Sequence, residues 1–323
     1  MSKQEFAIIA PCFNENVTVI SFLKELESVL RQLPFSFKVI IVDDASTDNT
    51  LHLLQQLRLT SPNVELTILS LKYNAGHQGA IYQGLLYARS SNCQRFIVMD
   101  SDGEDDPEAI RELVYADDEA DIVNVVRGRR KESLTFRFSY HIYRLIFKVI
   151  TGRVMNFGNY CMISNRVLAT SCHTSFVHFA AHLSKQRVKT KQIVYNRRKR
   201  IDGKSKMNLT SLVHHAFKSF VEYAEDLLMM FLKIFAVISV AFAALIGYVL
   251  YKKFITHEAI LGWASTVSIG LLNVALLCLG FFVIGILLLN ILARKRQDTS
   301  GIYQEITPKQ VKSKQEFVFE EVE

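Results

Sequence analysis

The stretch that decides the fold is RFIVMDSDGEDDP, residues 95–107. Its first half is a short apolar run typical of a buried strand, and its second half is an acidic turn. Two carboxylates one residue apart, Asp100 and Asp102, can together hold a hard divalent cation, Mg²⁺ or Mn²⁺, which in turn binds a diphosphate. Taken alone, the motif is more typical of a solvated turn that caps a helix, so the rest of the chain has to decide between the two.

The first half of the chain repeats this alternation of apolar β-rich runs and amphipathic stretches. Strands are predicted at Phe6–Cys12, Phe37–Asp43, Val64–Leu71, Arg95–Asp100, Asp121–Arg127 and Tyr160–Ser164. Helices are predicted at Val17–Leu33, Thr47–Leu59, Gln78–Ser90, Pro107–Ala116 and Phe136–Thr151. Ser46 and Asp106-Pro107 are the expected cap signals for two of these helices. The pattern indicates an α/β domain with βα units around a mostly parallel sheet.

Polar motifs fall where the predicted strands end. Asn14-Glu15, Asp43-Asp44 and Asp100-x-Asp102 each lie at or just beyond the carboxyl end of a strand. Open α/β sheets bind their ligands at that edge. Carboxylates that converge on one edge repel each other unless a positive group binds there. The second acidic pair therefore favours a ligand site over a solvated turn.

The last third of the chain predicts a membrane region. Ile234–Tyr251 and Ile260–Ala293 contain no charged residue, and each is close to or above the roughly 20 helical residues that cross a bilayer core. Asn208–Asp226 resembles an amphipathic interfacial helix, and Lys252-Lys253 lie in the turn between the two spans. Ile260–Ser265 is expected in the outer interface, with Trp263 as a belt residue.

Charge and topology complete the membrane prediction. No secretory signal precedes the α/β region, which is therefore expected in the cytosol, and two crossings return the polar tail from Gln297 onward to the same side. The 323-residue chain is 50% hydrophobic and 21% charged, and its net charge of +7 is concentrated in Lys185–Lys206, where Asp202 is the only acid. Such a segment fits anionic lipid or phosphate. Nucleic acid fits poorly, because the segment has only Tyr195 as an aromatic residue.

The cysteines point away from metal and disulfide chemistry. Their number is odd, they are scattered and they form no C-x-x-C pair, which excludes a disulfide framework or zinc site and favours core packing. The chain likewise has no G-x-G-x-x-G and no G-x-x-x-x-G-K-[ST] motif, so dinucleotide-binding and P-loop classes lose their support. The five positions are Cys12, Cys93, Cys161, Cys172 and Cys278.

Taken in order, the motifs resemble those of family 2 glycosyltransferases with the GT-A fold. With the two apolar runs, the chain is similar to the polyprenyl-phosphate glycosyltransferases, the group of dolichyl-phosphate mannose synthase and bactoprenol glucosyl transferase, over about residues 5 to 295. The matching motifs are Pro11-Cys12-Phe13-Asn14-Glu15, Val42-Asp43-Asp44-x-Ser46-x-Asp48, Asn74-x-Gly76-x-x-Gly79-Ala80, Asp100-x-Asp102 with Pro107-Glu108, and Arg198-x-Arg200-x-x-Gly203-x-Ser205-Lys206.

The resemblance implies a role for each matching residue. Asp100 and Asp102 would be catalytic residues that hold the metal and the diphosphate. Residues implied for nucleotide-sugar binding are Pro11, Asn14, Glu15, Asp43, Asp44, Gly76 and Gly79. Residues implied for the acceptor phosphate are Arg198, Arg200, Ser205 and Lys206, although half of the basic segment is expected to serve only as lipid-facing charge.

One position departs from the family pattern. Relatives commonly carry an Asp where this chain has Asn159, in Phe157-Gly158-Asn159-Tyr160, and an amide cannot take a proton. Asn159 stays a candidate catalytic position, because the expected nucleophile is a phosphate monoester with a second pKa of about 6 and needs only positioning. A structural or surface role is expected for the histidines, including His77, His178 and His182.

The resulting functional prediction is inverting transfer of a sugar from a nucleotide-sugar to polyprenyl phosphate for cell-envelope glycans, by a metal-dependent multi-pass enzyme of the bacterial inner membrane. Expected regions are a cytosolic GT-A domain (1–206), an amphipathic helix (207–226), a two-helix membrane region (227–293) and a cytosolic tail (294–323). Alternatives are another membrane acceptor, or a membrane-tethered nucleotide-sugar-binding regulator without catalysis. Ala243-x-x-x-Gly247 would permit close helix packing, so homo-oligomers stay open.

Overall fold

A computed structural model describes most of the chain. The described residues are 5–116, 119–127, 145, 147–148, 151–152, 157–173, 176–195, 198, 221–257, 262–295 and 302–306. The chain divides into two compact units, a sheet unit (1–130, 157–206 and 301–323) and a helical unit (131–156 and 207–300). Each unit is considered by itself.

The sheet unit is built on a mostly parallel mixed sheet. Within the described ranges it has eight strands in the order β7-β5-β6-β4-β1-β2-β3-β8, and only β6 and β8 run antiparallel to their neighbours. This confirms the predicted fold class. The strands are β1 (Glu5–Cys12), β2 (Ser36–Asp43), β3 (Val64–Leu71), β4 (Arg95–Val98), β5 (Ile122–Arg127), β6 (Cys161–Ser164), β7 (Thr190–Tyr195) and β8 (Tyr303–Ile306).

Helices cover both faces of this sheet. They are α1 (Val19–Arg31), α2 (Thr50–Gln56), α3 (Gly76–Ala88), α4 (Ala109–Val114), α5 (Asn165–His173) and α6 (Phe179–Lys185). Side chains of β1 alternate between the two faces: Phe6 and Ile8 join one buried cluster, while Ala7 and Ile9 join the other. Burial on both faces explains why the parallel strands have nearly continuous apolar sequences.

Two predicted helix starts are wrong in detail. The second helix begins at Thr50, after Asn49, because the Ser46 hydroxyl accepts a hydrogen bond from the Asn14 N–H and does not cap a helix. The fourth begins at Ala109, since Asp106 and Pro107 form a preceding turn in which the Asp106 side chain accepts from the Glu108 N–H at 3.0 Å. The predicted helix Phe136–Thr151 lies largely outside the described residues.

Two strands depart from the sequence-based prediction. β7 lies inside the basic segment and pairs in parallel with β5. β8 lies in the polar tail that begins at Gln297, where no strand was predicted, and it pairs antiparallel with β3, with Tyr303 opposite Leu71. The Tyr303 ring also packs edge-on against Tyr87 of α3, with ring centroids 6.0 Å apart. Edge pairing and aromatic contact therefore bring residues 303–306 into the sheet unit.

The helical unit contains two long apolar helices, α7 (Ala224–Tyr251) and α8 (Trp263–Lys295), with a π-helical turn at Lys252–Thr256 after α7. Within the spans 224–256 and 265–288, the most apolar 18-residue windows have mean hydropathies of 2.5 and 2.8 and are 0% and 11% buried. Phe231 and Phe281 pack with ring centroids 5.7 Å apart. Both helices are long and apolar enough to cross a membrane, and their exposed apolar surface fits lipid. The predicted interfacial helix 207–226 lies outside the described residues up to position 220.

Candidate active site

The candidate site lies at one edge of the sheet, where β1, β2 and β4 end. These strands run parallel, so their carboxyl ends meet there, and Cys12 is paired with Asp43. The backbone N–H of Asp44 donates to the Cys12 carbonyl at 2.9 Å. The Ser101 hydroxyl donates to the carbonyl of Pro11 at 2.7 Å. The structure therefore brings the first, second and fourth motifs of the sequence together.

Asn14 holds the loops after β1 and β2 together. Its φ of 53° places the backbone in the left-handed region, which Asn tolerates better than most residues. The Asn14 carboxamide makes two hydrogen bonds with Thr47. The Thr47 N–H donates to Oδ1 at 2.8 Å, and Nδ2 donates to the Thr47 hydroxyl at 3.2 Å. Asn14 therefore has a structural function in this loop, besides any contact with a nucleotide.

Glu15 is likewise engaged within the protein. Its backbone N–H donates to the Thr50 hydroxyl at 2.9 Å, and its carboxylate accepts from the Thr18 hydroxyl at 2.6 Å. Thr18 immediately precedes α1. Glu15 therefore links the entries of α1 and α2, and its side chain is turned toward its own loop.

Asp43 and Asp44 are buried carboxylates at the end of β2. Burial raises the pKa of both, and hydrogen bonds from neighbouring N–H groups only partly oppose this effect. Asp44 Oδ1 accepts from the Ala75 N–H at 2.6 Å. Asp43 Oδ2 is 3.4 Å from the Ser46 N–H, whereas the buried Asp43 Oδ1 has no hydrogen-bond partner among the described residues. A buried acceptor of this kind is stabilised when a ligand donates to it.

The turn from β3 into α3 needs glycine at one position and a small neighbour at another. Gly76 has a φ of 77°, and its N–H donates to the Asn74 side chain at 3.0 Å. A Cβ on Gly79 would lie 2.8 Å from that of Ala75. The turn therefore places the first turn of α3, with its N–H groups and positive dipole end, at the same edge of the sheet.

The acidic loop after β4 is held by its own side chains. Asp105 accepts from the Asp100 N–H at 2.9 Å, and Asp102 Oδ1 accepts from the Glu104 N–H at 3.0 Å. Gly103, with a φ of 77°, makes the reversal. No group of three or more His, Cys, Asp or Glu side chains in the described part of the chain is arranged to hold a metal ion. The two Asp carboxylates supply hard oxygen ligands, so they fit a cation that takes its other ligands from substrate and water.

Asn159 lies in this site beside a histidine that the sequence analysis assigned to a surface role. His77 Nε2 is 3.3 Å from Asp100 Oδ1 and 3.0 Å from Asn159 Nδ2. The structure therefore places Asp100 and Asn159, two of the predicted catalytic residues, in contact with the same imidazole. The signal available in the sequence was the position of His77, immediately after Gly76 at a strand-to-helix turn.

Of the predicted acceptor residues, only Arg198 is described. Its backbone N–H donates to the Glu104 carbonyl at 3.0 Å, and its guanidinium pairs with Glu25 and, at 2.6 Å, with Asp106. Partial burial opposes its charge, yet the bonds to the two carboxylates outweigh burial and raise the pKa of Arg198. Arg198 therefore fastens the chain to the acidic loop. Arg200, Ser205 and Lys206 lie outside the described residues.

The sequence profile of the family described as "Glycosyl transferase family 2" matches residues 7–183. The uncharacterized glycosyltransferase YkcC of Bacillus subtilis is 26% identical over 288 residues, which cover 85% of this chain and 86% of the relative. The undecaprenyl-phosphate 4-deoxy-4-formamido-L-arabinose transferase of Yersinia pestis is 26% identical over 220 residues, which cover 65% of each chain.

Two solved structures are similar in fold. Mannosyl-3-phosphoglycerate synthase from Rubrobacter xylanophilus has a TM-score of 0.54 at 15% identity, with 70% of this chain and 74% of that chain covered. Glucosyl-3-phosphoglycerate synthase from Mycobacterium tuberculosis, in complex with Mn²⁺, UDP-glucose and phosphoglyceric acid, has a TM-score of 0.51 at 14% identity, with 70% and 80% covered. At 15% and 14% identity, this likeness is one of fold.

Proposed function

We propose, from the premise that the chain belongs to glycosyl transferase family 2, that this glycosyltransferase moves a sugar from a nucleotide-sugar to polyprenyl phosphate. The observation that carries the proposal is the combination, in one chain, of the carboxylate-lined sheet edge with two exposed apolar helices. A soluble acceptor would not require such helices. The products would be a polyprenyl-phosphate sugar and a free nucleoside diphosphate.

The donor half of the proposal rests on the buried edge of the sheet. Asp43, with its unpartnered Oδ1, and Asp44 would receive donor groups of the nucleotide, beside Pro11, Asn14 and Glu15. The first turn of α3, with Gly76 and Gly79, would face the anionic part of the donor. A similar fold has been solved with Mn²⁺ and UDP-glucose, which supports a nucleotide-sugar site without fixing the base or the sugar.

The reaction requires one bond to form as another breaks. An oxygen of the acceptor phosphate attacks the anomeric carbon while the bond from that carbon to the diphosphate oxygen breaks on the opposite face, so the configuration inverts. Mg²⁺ or Mn²⁺, held by Asp100 and Asp102, would supply charge to neutralise the leaving diphosphate. A phosphate monoester with a second pKa of about 6 is largely ionised at neutral pH, so Asn159 need not accept a proton.

The acceptor half rests on the membrane helices and a relative. The name of the Yersinia protein, undecaprenyl-phosphate 4-deoxy-4-formamido-L-arabinose transferase, contains a polyprenyl phosphate. This supports a polyprenyl phosphate as the acceptor of the present enzyme. Arg200, Ser205 and Lys206 are proposed to contact its phosphate. Arg198 would act by holding this segment to the acidic loop, because its guanidinium is already shared by Glu25 and Asp106.

The proposed location is the bacterial inner membrane, with two crossings and the catalytic domain in the cytosol. The regions 1–206, 207–226 and 227–293 are kept as proposals, while the tail 294–323 is revised to include β8 of the sheet unit. Transfer to the cytosolic face of the bilayer would supply a lipid-linked sugar for cell-envelope glycans.

The test is transfer by the purified full chain. The protein in detergent would be incubated with polyprenyl phosphate, Mg²⁺ or Mn²⁺, and a panel of radiolabelled nucleotide-sugars. Labelled lipid is expected with at least one donor, and none when polyprenyl phosphate is left out. Transfer to a different membrane acceptor, or no lipid product with any donor, would contradict the proposal.

Asn159→Asp separates this enzyme from a regulator that has lost its base. Above about pH 7 the acceptor monoester is already ionised, so the new carboxylate is expected to leave the rate unchanged or to lower it by repulsion. The measurement is the initial rate of both forms between roughly pH 6 and 9, a range that spans the phosphate pKa. An inactive wild type that Asn159→Asp activates would contradict the proposal.

A further inference from the structure

His77 is the residue at which the two halves of the candidate site meet. Its Nε2 lies 3.3 Å from the Asp100 carboxylate and 3.0 Å from the Asn159 carboxamide. Asp100 belongs to the loop proposed to hold the diphosphate, and Asn159 is the candidate catalytic position proposed to lie beside the acceptor phosphate. One ring nitrogen therefore contacts both a donor-side group and an acceptor-side group; with Asn159 Nδ2 as the donor, Nε2 accepts that hydrogen bond and cannot also donate to Asp100.

Hydrogen bonds at the start of α3 fix the position of His77. His77 is the second residue of α3, and the two residues before it have their N–H groups held: Ala75 donates to Asp44 at 2.6 Å and Gly76 donates to Asn74 at 3.0 Å. Asp44 itself is tied to β1 through its N–H and the Cys12 carbonyl. His77 is thus anchored to the central strands and not to a loose loop.

The contact with His77 also decides which end of the Asn159 carboxamide faces a substrate. Asn159 Nδ2 is turned toward the imidazole, and the buried Oδ1 has no hydrogen-bond partner among the described residues. Without the imidazole, the amide could rotate and exchange its donor and acceptor ends. A side chain at position 77 must therefore offer a hydrogen-bonding atom at this point to keep the amide in one orientation.

We propose that His77 is a positioning residue, which holds the Asn159 carboxamide in one orientation beside the Asp100 carboxylate so that the nucleotide-sugar and the lipid phosphate meet at reacting distance. The inference rests on the proposed function and deepens it. Small displacements of reacting groups cost about 100-fold in rate. Loss of the link should consequently lower kcat, while each substrate keeps most of its own contacts and its KM.

The experiment compares two substitutions of similar size. Leu at position 77 keeps the bulk of the imidazole but removes the ring nitrogen that accepts from Asn159, whereas the side-chain oxygen of Gln can accept from Asn159 Nδ2. His77→Leu is expected to lower kcat roughly 10- to 100-fold with both KM values within about twofold of wild type, and His77→Gln to recover most of that loss. His52→Ala is the control, because His52 is exposed and contacts only Gln56, at 3.1 Å, among the interactions described.

A double variant tests whether His77 acts through Asn159. His77→Leu combined with Asn159→Leu is expected to be no slower than the slower single variant, since both remove the same link. Wild-type kcat in His77→Leu, failure of Gln to recover activity, or fully additive losses would overturn the inference while leaving transfer by the wild type intact. A wild type that transfers no sugar from any donor would overturn the proposed function as well. Equal thermal unfolding midpoints for all variants would show that folding is unaffected.

Discussion

At the scale of single residues, the site depends on carboxylates whose surroundings differ. Asp100 and Asp102 lie in a loop closed by N–H groups, while Asp43 and Asp44 are buried at the end of β2 and have raised pKa values. The first pair is suited to a cation and the second to donor groups of a ligand. The two pairs should therefore respond differently to removal of their charge.

Asp100→Asn and Asp102→Asn should each lower the transfer rate by at least about 100-fold, because the cation site loses half of its protein charge. The fold should be kept, since an Asn oxygen at position 102 can still accept from the Glu104 N–H. Asp121→Asn is the control: Asp121 accepts from Ser164 at the opposite edge of the sheet. Initial rates with and without EDTA check this; full activity in EDTA would contradict the cation site.

Asp43→Asn should weaken binding of the nucleotide-sugar and stabilise the folded protein. Burial raises the pKa of Asp43, so the carboxyl favours folding only while protonated, and that contribution is lost as the pH rises through the raised pKa. At pH 7 the neutral amide should therefore stabilise the protein and raise its Tm, because it avoids the cost of a buried carboxylate. The gain should shrink toward pH 4. A lower Tm at pH 7, measured by thermal unfolding in detergent, would contradict this.

Residue types predicted which motifs meet at one edge of the sheet, because parallel strands place their carboxyl ends together wherever they lie in the sequence. What they did not indicate was the second task of Asn14, Glu15 and Arg198, whose polar groups hold loops together. His77 was missed for a related reason. A single histidine forms no motif with a characteristic spacing. The proposed role of His77 depends on Asn159, which is distant in sequence and close only in the folded chain.

At the scale of elements, α3 is the helix that positions the site, because it carries His77 and packs on β1 and β2. Gly84 permits this packing: a Cβ there would overlap Ile9 and would lie 2.9 Å from Val42 Cγ2. Both neighbours are core side chains that are 0% exposed and have little room to move.

Gly84→Ala should therefore destabilise the protein by about 1–3 kcal/mol, the usual cost of overpacking a core. Displacement of α3 should also lower the transfer rate. Gly280→Ala is the control, since nothing lies within 4 Å of a Cβ at that helical position. Thermal unfolding midpoints check the prediction, and an unchanged midpoint for Gly84→Ala would contradict the packing.

Strands were predictable where both faces are buried and the sequence is a nearly continuous apolar run, as in β1, β2 and β4. β7 was missed because its side chains are mostly exposed and its first three residues, Thr190, Lys191 and Gln192, are polar, so no run of apolar residues marks its start. β8 was missed because YQEI is short and polar, and it becomes a strand only through hydrogen bonds to β3. Both are edge strands, for which pairing and not local sequence decides the structure.

At the scale of the whole molecule, β8 constrains the membrane topology. It follows both apolar helices in the chain and yet pairs with β3, which precedes them. Strands of one sheet cannot lie on opposite sides of a bilayer. The number of crossings between residues 224 and 295 must accordingly be even, in agreement with the proposed two.

Labelling of single engineered cysteines tests this topology. Gln55→Cys and Gln304→Cys should react with a membrane-impermeant maleimide only in inside-out vesicles, and Lys253→Cys only in right-side-out vesicles. The described native cysteines are buried, which keeps the background low. Labelling of positions 55 and 304 from opposite sides, or of all three from the same side, would contradict two crossings.

Because β8 follows α8 in the chain, the sheet unit is completed late in synthesis. The ribosome makes β3 long before residues 303–306, so the outer edge of β3 lacks this partner until α7 and α8 have been translated. An unpaired strand edge is prone to pair with other chains, and nascent domains with open edges are aggregation-prone. The sheet is therefore completed only after both membrane helices have been synthesised. In a chain that stalls between α7 and α8, the outer edge of β3 would remain exposed and unpaired by β8.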